Sequence, residues 1–257
     1  MTRAVLAALL AAAPLAAYAA DPIRERYAVY AGGLNIAVIH TDVSVEPGAY
    51  RVQLAFRTAG LVGFIVTADL NSVVTGRFDG DTAVPTRFTS TGKLRGGPRD
   101  TVIDYVGTTP QVRELVPSLA EDDRDAVPPA QQAGTIDTLS AMAELFHTVN
   151  ATNRCEGHVT AFDGRRLLSI TSRTAGMQEL PATDRSSFTG NALRCDLVSQ
   201  QLGGFKHDAD EARMHKPQPG NAWFARLTPN GPLILVRATF PTTFFGSATM
   251  YLQPGGE

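Results

Sequence analysis

The amino-acid sequence predicts a mostly β fold of antiparallel strands with one main α-helix, and three observations support this prediction. Through most of the chain after residue 20, apolar residues recur at every second position, which is typical of strands with one buried and one solvated face. Asp-Gly pairs at 79–80 and 163–164 separate such stretches, and this dipeptide favours tight hairpin turns. Only residues 137–149 show a clear helical spacing of apolar residues.

The N-terminus has the pattern of a signal peptide. Arg3 supplies a basic start, residues 4–17 carry no charge, and the sequence then reads Ala-Tyr-Ala-Ala-Asp, a small-x-small cleavage signal. The uncharged run is shorter than the roughly 20 residues that a spanning helix needs. We therefore expect residues 1–19 to be removed, leaving residues 20–257 as a single periplasmic β domain without a transmembrane anchor.

Composition limits the possible partners. Without residues 1–19 the chain has 22 basic and 25 acidic residues, a net charge of −3. Nucleic-acid binding needs a basic face, so no nucleic-acid partner is expected.

The two cysteines, Cys155 and Cys195, are predicted to form a disulfide. An exported protein matures in an oxidising compartment, and two cysteines allow only one intramolecular pairing. The closed loop of about 41 residues corresponds to roughly 4 kcal/mol in the chain-entropy model.

The first hundred residues predict a meander of strands. In 49–57, Tyr50, Val52, Leu54 and Phe56 share one face, and this strand is expected to be half-buried. Residues 63–78 read as a longer strand with Phe64, Val66, Ala68 and Leu70 in phase, followed by a turn at 78–81. Strands at 85–93 and 100–106 follow, separated by a Gly-Gly-Pro break.

Residues 117–134 differ in composition, being rich in Asp, Glu, Pro and Ala. A cation site and a solvated linker are both possible interpretations of this acidic run, and we favour the linker because charge runs are usually exposed. The residues concerned are Glu121, Asp122, Asp123 and Asp125.

The main helix is predicted to begin after Asp137, whose carboxylate can cap the first amides. His147 lies beside the apolar stripe and is interpreted as an edge residue, since no second ligand follows at metal spacing. The stripe expected to be buried contains Leu139, Met142, Ala143, Phe146 and Val149.

Strands resume after the helix, around a polar segment at 207–220. The ranges predicted are 157–162, 167–173, 187–198, 222–227, 233–240 and 244–252.

The stretch RCEGHVTAFDGRR at 154–166 contains the residues most suggestive of chemistry. Cys155 with His158 could form a nucleophile and base, or could bind zinc together with Cys195. Export favours the disulfide over either, because both alternatives require a free thiolate. Asp163 fits the first position of a tight turn.

Other catalytic signatures are missing from the sequence. Residues 207–215 lack the spacing of a His-Glu-x-x-His site, and there is no nucleophile elbow, phosphate-binding Gly-Lys loop or dinucleotide fingerprint. We therefore assign no catalytic residue, metal or cofactor.

Three residues remain as candidates for ligand contact, namely His158, Arg165 and Trp223. Arg165 could meet an anionic ligand, although an exposed strand start, shared with Arg166, is the favoured interpretation. Trp223 could line a cleft, although a core position is favoured because its neighbours are apolar.

The chain resembles the bacterial exported family described as domain of unknown function 3108. The resemblance rests on YAVYAGGLNIA, GTIDTLSAMAEL, RCEGHVTAFDGRR, RCDL followed by GGF, and ARLTPNGPLILVRATFPTTFFGSATMYL, which together span most of residues 24–252. In architecture the chain is also similar to periplasmic β-spiral envelope proteins. These resemblances imply a curved antiparallel sheet that forms an open or incomplete barrel, a helix near its concave face, and a role in envelope integrity.

Two functions of different class are consistent with these features. The favoured one is a non-enzymatic binding or integrity protein that holds an apolar or amphiphilic ligand, such as a lipid or cell-wall fragment, or an envelope protein partner, in the curl of the sheet. The alternative is an envelope-acting hydrolase that uses dispersed carboxylates or a metal site near His158 and 207–215.

Overall fold

A computed structural model describes residues 21–46, 48–208, 210, 215–242 and 246–255, with the side chains of 62, 64 and 65 left out. The signal-peptide prediction for residues 1–19 lies outside the described residues. The strands of the first half are β1 (Ile23–Ala31), β2 (Leu34–Glu46), β3 (Ala49–Thr58), β4 (Ala68–Asp79), β5 (Thr82–Leu94), β6 (Gly97–Pro98), β7 (Asp100–Val106) and β8 (Thr109–Val116). Those of the second half are β9 (Gly157–Phe162), β10 (Leu167–Leu180), β11 (Gly190–Gly203), β12 (Gln218–Arg226), β13 (Leu233–Thr242) and β14 (Gly246–Leu252). The helices are α1 (Gly60–Ile65), α2 (Pro129–Gln132) and α3 (Thr138–Thr152).

All fourteen strands belong to one antiparallel sheet, which confirms the predicted fold class. The order is β8-β7-β5-β4-β3-β2-β1-β14-β13-β12-β11-β10-β9, with the short β6 paired to β5. Because β1 pairs with β14, the first and last strands lie in the middle of the sheet, and the two end strands are β8 and β9.

The sheet is open, because the described residues contain no pairing between β8 and β9. The segment before α3 lies between these end strands instead. The Gly134 amide donates to Thr108 O over 2.8 Å, next to β8. The Ile136 amide donates to Thr160 O over 3.1 Å, and Ile136 O accepts from the Phe162 amide over 2.8 Å, both on β9. Backbone contacts therefore bridge the opening.

α3 begins where its sequence predicts, and its end, for which no prediction was made, has a local cap. Asp137 accepts hydrogen bonds from the amides of Leu139 and Ser140 at 3.0 and 2.9 Å, which confirms its role as N-cap. At the other end Asn153 adopts a left-handed conformation, φ 54°, and its amide bonds to Val149 O. The helix is therefore defined by local sequence at both ends.

A buried hydrogen-bond chain fixes α3 against β3. The hydroxyl of Ser140 donates to Asp137 over 2.6 Å, so the Tyr50 hydroxyl, 2.7 Å from Ser140 Oγ, must donate to it. Burial raises the pKa of the Asp137 carboxyl, and the hydrogen bonds it accepts oppose that shift. This chain joins the helix start to the third strand.

The helix contributes to all three apolar clusters of the core. Leu139 and Ala143 pack with Tyr50, Val52 and other residues of the first half of the sheet. Phe146 packs against the cluster formed by β1, β14, β13 and β12, and Val149 belongs to the cluster around the disulfide. The sheet therefore curls around α3.

The structure of the first half differs from the prediction at two places. Residues 60–65 form α1, and the strand begins only at Ala68, so Phe64 and Val66 are not part of it. Gly60 has φ +57°, and a Cβ there would lie 2.7 Å from Asn35 O, so this turn requires glycine. In addition, β8 was not predicted, although it forms one end of the sheet.

Candidate functional site

An apolar cleft of about 430 Å³ lies between α3 and the second half of the sheet. The helix contributes Ala141, Met142 and Leu145 to its walls. The sheet contributes apolar side chains from four strands, β9, β10, β11 and β13, namely Val159, Ile170, Leu197, Ala238 and Phe240. The turn between β4 and β5 reaches its edge at Asp81 and Thr82.

One face of α3 lines the cleft instead of packing directly into the core. Leu139, Ala143 and Val149 are buried as predicted, but Met142 is 43% exposed and faces the cleft, so the prediction that it is a core residue is wrong. Phe240, 38% exposed, lies on the opposite wall. Two large apolar side chains are therefore accessible within one concavity, which is typical of small-molecule sites.

The charged residues at the rim of the cleft are acidic. Asp81, Glu144 and Glu156 line it, and no lysine or arginine is among its described lining residues. Glu144 accepts from the Ala83 amide over 2.8 Å, and burial raises its pKa. The hydrogen bond from Arg154 lowers the pKa of Glu156 to about 2, so this carboxylate is ionised at neutral pH.

Two histidines lie near this rim. His147, beside the apolar stripe as predicted, stacks on Phe78 at 4.2 Å between ring centroids and lies 3.7 Å from Asp81. His158 is at the edge of the cleft, but strand alternation directs its side chain away from the face that carries Val159. Its Nδ1 lies 3.2 Å from Thr171 Oγ1.

The predicted Cys155–Cys195 disulfide is present in the structure and lies close to the cleft. Both cysteines are fully buried, in a cluster with Val149, Leu193 and Phe224. The bond ties Cys155, shortly after the end of α3, to Cys195 on β11, at a sequence separation of 40. It therefore restrains the helix end and the strands on which the cleft is built.

Arg165 and Asp122 form a buried ion pair, and both of their predicted environments are wrong. Each side chain is only 4% exposed, whereas an exposed strand start and a solvated linker were expected. Arg165 bonds to Asp122 and donates to Pro117 O over 2.8 Å. Arg99 also approaches Asp122, at 3.2 Å.

This ion pair joins the two ends of the sheet. Pro117 follows β8, whereas Arg165 lies in the turn between β9 and β10. That turn also packs on β7 and β8, because a Cβ on Gly164 would lie 2.9 Å from Thr101 Cγ2. This contact could not be predicted from the sequence, since Asp122 and Arg165 are 43 positions apart.

Trp223 is a core residue, as the favoured interpretation had it. It is 6% exposed, packs in the first cluster and donates from Nε1 to Gln178 over 3.0 Å. The guanidinium groups of Arg194 and Arg237 lie 5.9 and 6.0 Å from its ring. The structure therefore does not bring His158, Arg165 and Trp223 together, and a ligand contact by any of them stays a prediction.

The described part of the chain contains no group of three or more His, Cys, Asp or Glu residues arranged to hold a metal ion. No helix within the described residues is long and apolar enough to cross a membrane.

Comparisons with known proteins agree with this architecture. A family model described as "Protein of unknown function (DUF3108)" matches residues 26–253. A solved structure, a beta-barrel-like protein of domain of unknown function DUF1849 from Brucella abortus, is similar in fold. Its TM-score is 0.52 at 15% sequence identity, with 91% of this chain and 96% of that one covered. No curated protein sequence matches.

Proposed function

This chain belongs to the DUF3108 family of proteins of unknown function, and from its geometry we propose that it is a non-enzymatic, exported cell-envelope protein. It binds an apolar or amphiphilic ligand in the apolar cleft, and such a ligand would be a lipid or an amphiphilic cell-wall fragment. Through this binding it contributes to envelope integrity.

The observation that carries this proposal is the apolar cleft itself. Its volume of about 430 Å³ lies within the roughly 300–1,000 Å³ range of small-molecule sites. Burying Met142 and Phe240 under a ligand would remove apolar surface from water, and each Å² contributes about 25 cal/mol.

The charge of the rim indicates which kind of polar end the ligand carries. Glu156 is ionised at neutral pH, and the cleft has no basic lining residue among those described. The carboxylates of the rim would therefore repel an anionic headgroup, whereas a hydroxyl or ammonium group would donate hydrogen bonds to them. We expect an amphiphile with an amine or hydroxyl end to bind better than the matching fatty acid.

Two features support export to the periplasm. The N-terminal pattern is that of a signal peptide. The buried disulfide requires an oxidising compartment to form and persist.

The proposal is tested with N-phenyl-1-naphthylamine, a neutral apolar probe whose fluorescence rises on transfer from water. Met142→Glu places a charge inside the cleft and is expected to weaken probe binding at least tenfold, because the carboxylate would be desolvated by the probe. Met177→Glu is the matched control, since Met177 is also exposed, at 67%, but does not line the cleft.

Dodecylamine and dodecanoate are then compared as competitors of the probe. The proposal predicts that dodecylamine displaces it at the lower concentration and that Met177→Glu behaves as the wild type. Equal probe affinity in the two methionine variants would show that the cleft is not the binding site.

A further inference from the structure

A second cleft, of about 620 Å³, lies at the other end of the molecule beside the Asp122–Arg165 pair. We refer to it as the charged cleft; its walls are the β5–β6 turn, the end of β8, and residues 121–124 with Lys206. β5 runs from the apolar cleft at Thr82 to the charged cleft at Leu94, roughly 40 Å of strand. The two clefts are therefore separate sites.

The walls of the charged cleft are built by tertiary contacts rather than by one mobile loop. Residues 123–125 and 205–207 pair in short antiparallel fashion, with Asp125 N donating to Phe205 O and His207 N donating to Asp123 O, both over 2.9 Å. Arg124 donates to Gly204 O over 2.9 Å, and Lys206 bonds to Asp123.

Positive charge exceeds negative charge at this cleft. The basic side chains that line it number four: Arg95, Arg99, Arg124 and Lys206. The acidic ones number three: Glu121, Asp122 and Asp123. The local surplus of one positive charge contrasts with the chain's net charge of −2.

The existing ion pairs leave part of this charge unused. Asp122 forms ion pairs with both Arg99 and Arg165, and Asp123 forms one with Lys206. Arg124 has only a carbonyl partner, and the Arg95 side chain has no ion pair or hydrogen bond to any described residue.

The guanidinium groups also repel each other. Burial lowers the pKa of Arg99, and the nearby charge of Arg165 lowers it further. Burial also lowers the pKa of Arg124, and the nearby charge of Arg166 lowers it further. An anion bound beside Arg99 and Arg124, which both line the cleft, would offset that repulsion.

We propose that the charged cleft binds a dianionic oxyanion of the phosphomonoester or inorganic phosphate type. Such a group carries about −1.5 to −2 charges near pH 7 and three strong acceptor oxygens, so it can contact several of the basic side chains at once, which one carboxylate cannot. Arg95 and Arg124 supply the planar N–H donors that suit its oxygens, and Lys206 supplies a point charge.

Calorimetric titration with inorganic phosphate, in a buffer free of other oxyanions, tests this site. Arg95→Glu is expected to weaken phosphate binding at least tenfold without affecting folding, because this side chain makes no contact that folding requires. Arg51→Glu changes the net charge equally on an exposed strand position outside the cleft, and should bind within twofold of the wild type. Raising the salt concentration should weaken binding, since the cleft is partly open to water.

Vesicles distinguish the two sources of such a group. Phosphatidylcholine vesicles with and without phosphatidic acid are added, with inorganic phosphate as competitor. Binding to phosphatidic acid that phosphate displaces identifies a lipid headgroup as the source, and binding of phosphate alone identifies a soluble one; either supports the site. The proposal is overturned if wild-type protein shows no saturable phosphate binding, or if Arg95→Glu and Arg51→Glu weaken it equally.

Discussion

Breaking the Asp122–Arg165 ion pair tests whether side-chain contacts hold the open sheet together. Both side chains are 4% exposed, and no β8–β9 pairing occurs in the described chain to replace the contact. Removing one partner of a buried pair leaves the other charge uncompensated, which typically costs 3–5 kcal/mol. The two single variants should nevertheless differ, because the partners have different neighbours.

Asp122→Leu should cost the full amount, about 3–5 kcal/mol of unfolding free energy. It leaves Arg165 buried with only Pro117 O as partner. Arg165→Met should cost about 2 kcal/mol less, because Asp122 keeps Arg99 at 3.2 Å, and Arg99, at 25% exposed, also reaches water. The double variant should lose only about 1–2 kcal/mol, mostly from the unpaired Pro117 carbonyl.

Urea unfolding followed by fluorescence and circular dichroism measures these values, provided that the two transitions coincide. The four proteins form a double-mutant cycle, and we expect a coupling energy of about 2 kcal/mol or more. Single variants that each cost under about 1 kcal/mol, or costs that simply add, would refute the conclusion that this pair joins the ends of the sheet.

Two further predictions concern the disulfide and the Asp123–Lys206 ion pair. The variant with Cys155→Ala and Cys195→Ala should lose about 4 kcal/mol of unfolding free energy, which for a domain of this size lowers Tm by roughly 8–16 °C. An unchanged calorimetric melting curve would contradict this. The hydrogen bond from Lys206 lowers the pKa of Asp123 to about 2, which is below the pKa of this carboxyl in the unfolded chain. The ion pair therefore stabilises the fold above about pH 4, and this contribution is lost as the pH falls towards 2. Lys206→Met should raise that pKa in a carboxyl NMR titration, and an unmoved midpoint would argue against the bond.

Features with local causes could be predicted from the sequence. The bounds of β9 and the Asp137 cap follow from alternation and from side chains within a few residues. The disulfide also followed, because the number of cysteines and the export signal leave one pairing. Alternation misled at Phe64 and Val66, because Gly60 turns the chain against Asn35 and the apolar run enters α1 before β4 begins.

The sites could not be predicted, because they depend on how far the sheet curls. Met142 belongs to the helical stripe by spacing, yet it lines the apolar cleft and is 43% exposed. Asp122 and Arg165 look like ordinary surface charges until residues 43 positions apart are brought together. The charged cleft likewise draws on four separate parts of the chain.

The most direct test of the central claim is a crystal structure of the protein with dodecylamine. We predict that the alkyl chain lies between Met142 on α3 and Phe240 on β13, with its amine at the rim formed by Glu144 and Glu156. An alkyl chain bound elsewhere, or an empty cleft at a saturating dodecylamine concentration, would contradict the proposal that this protein binds an amphiphile in the apolar cleft.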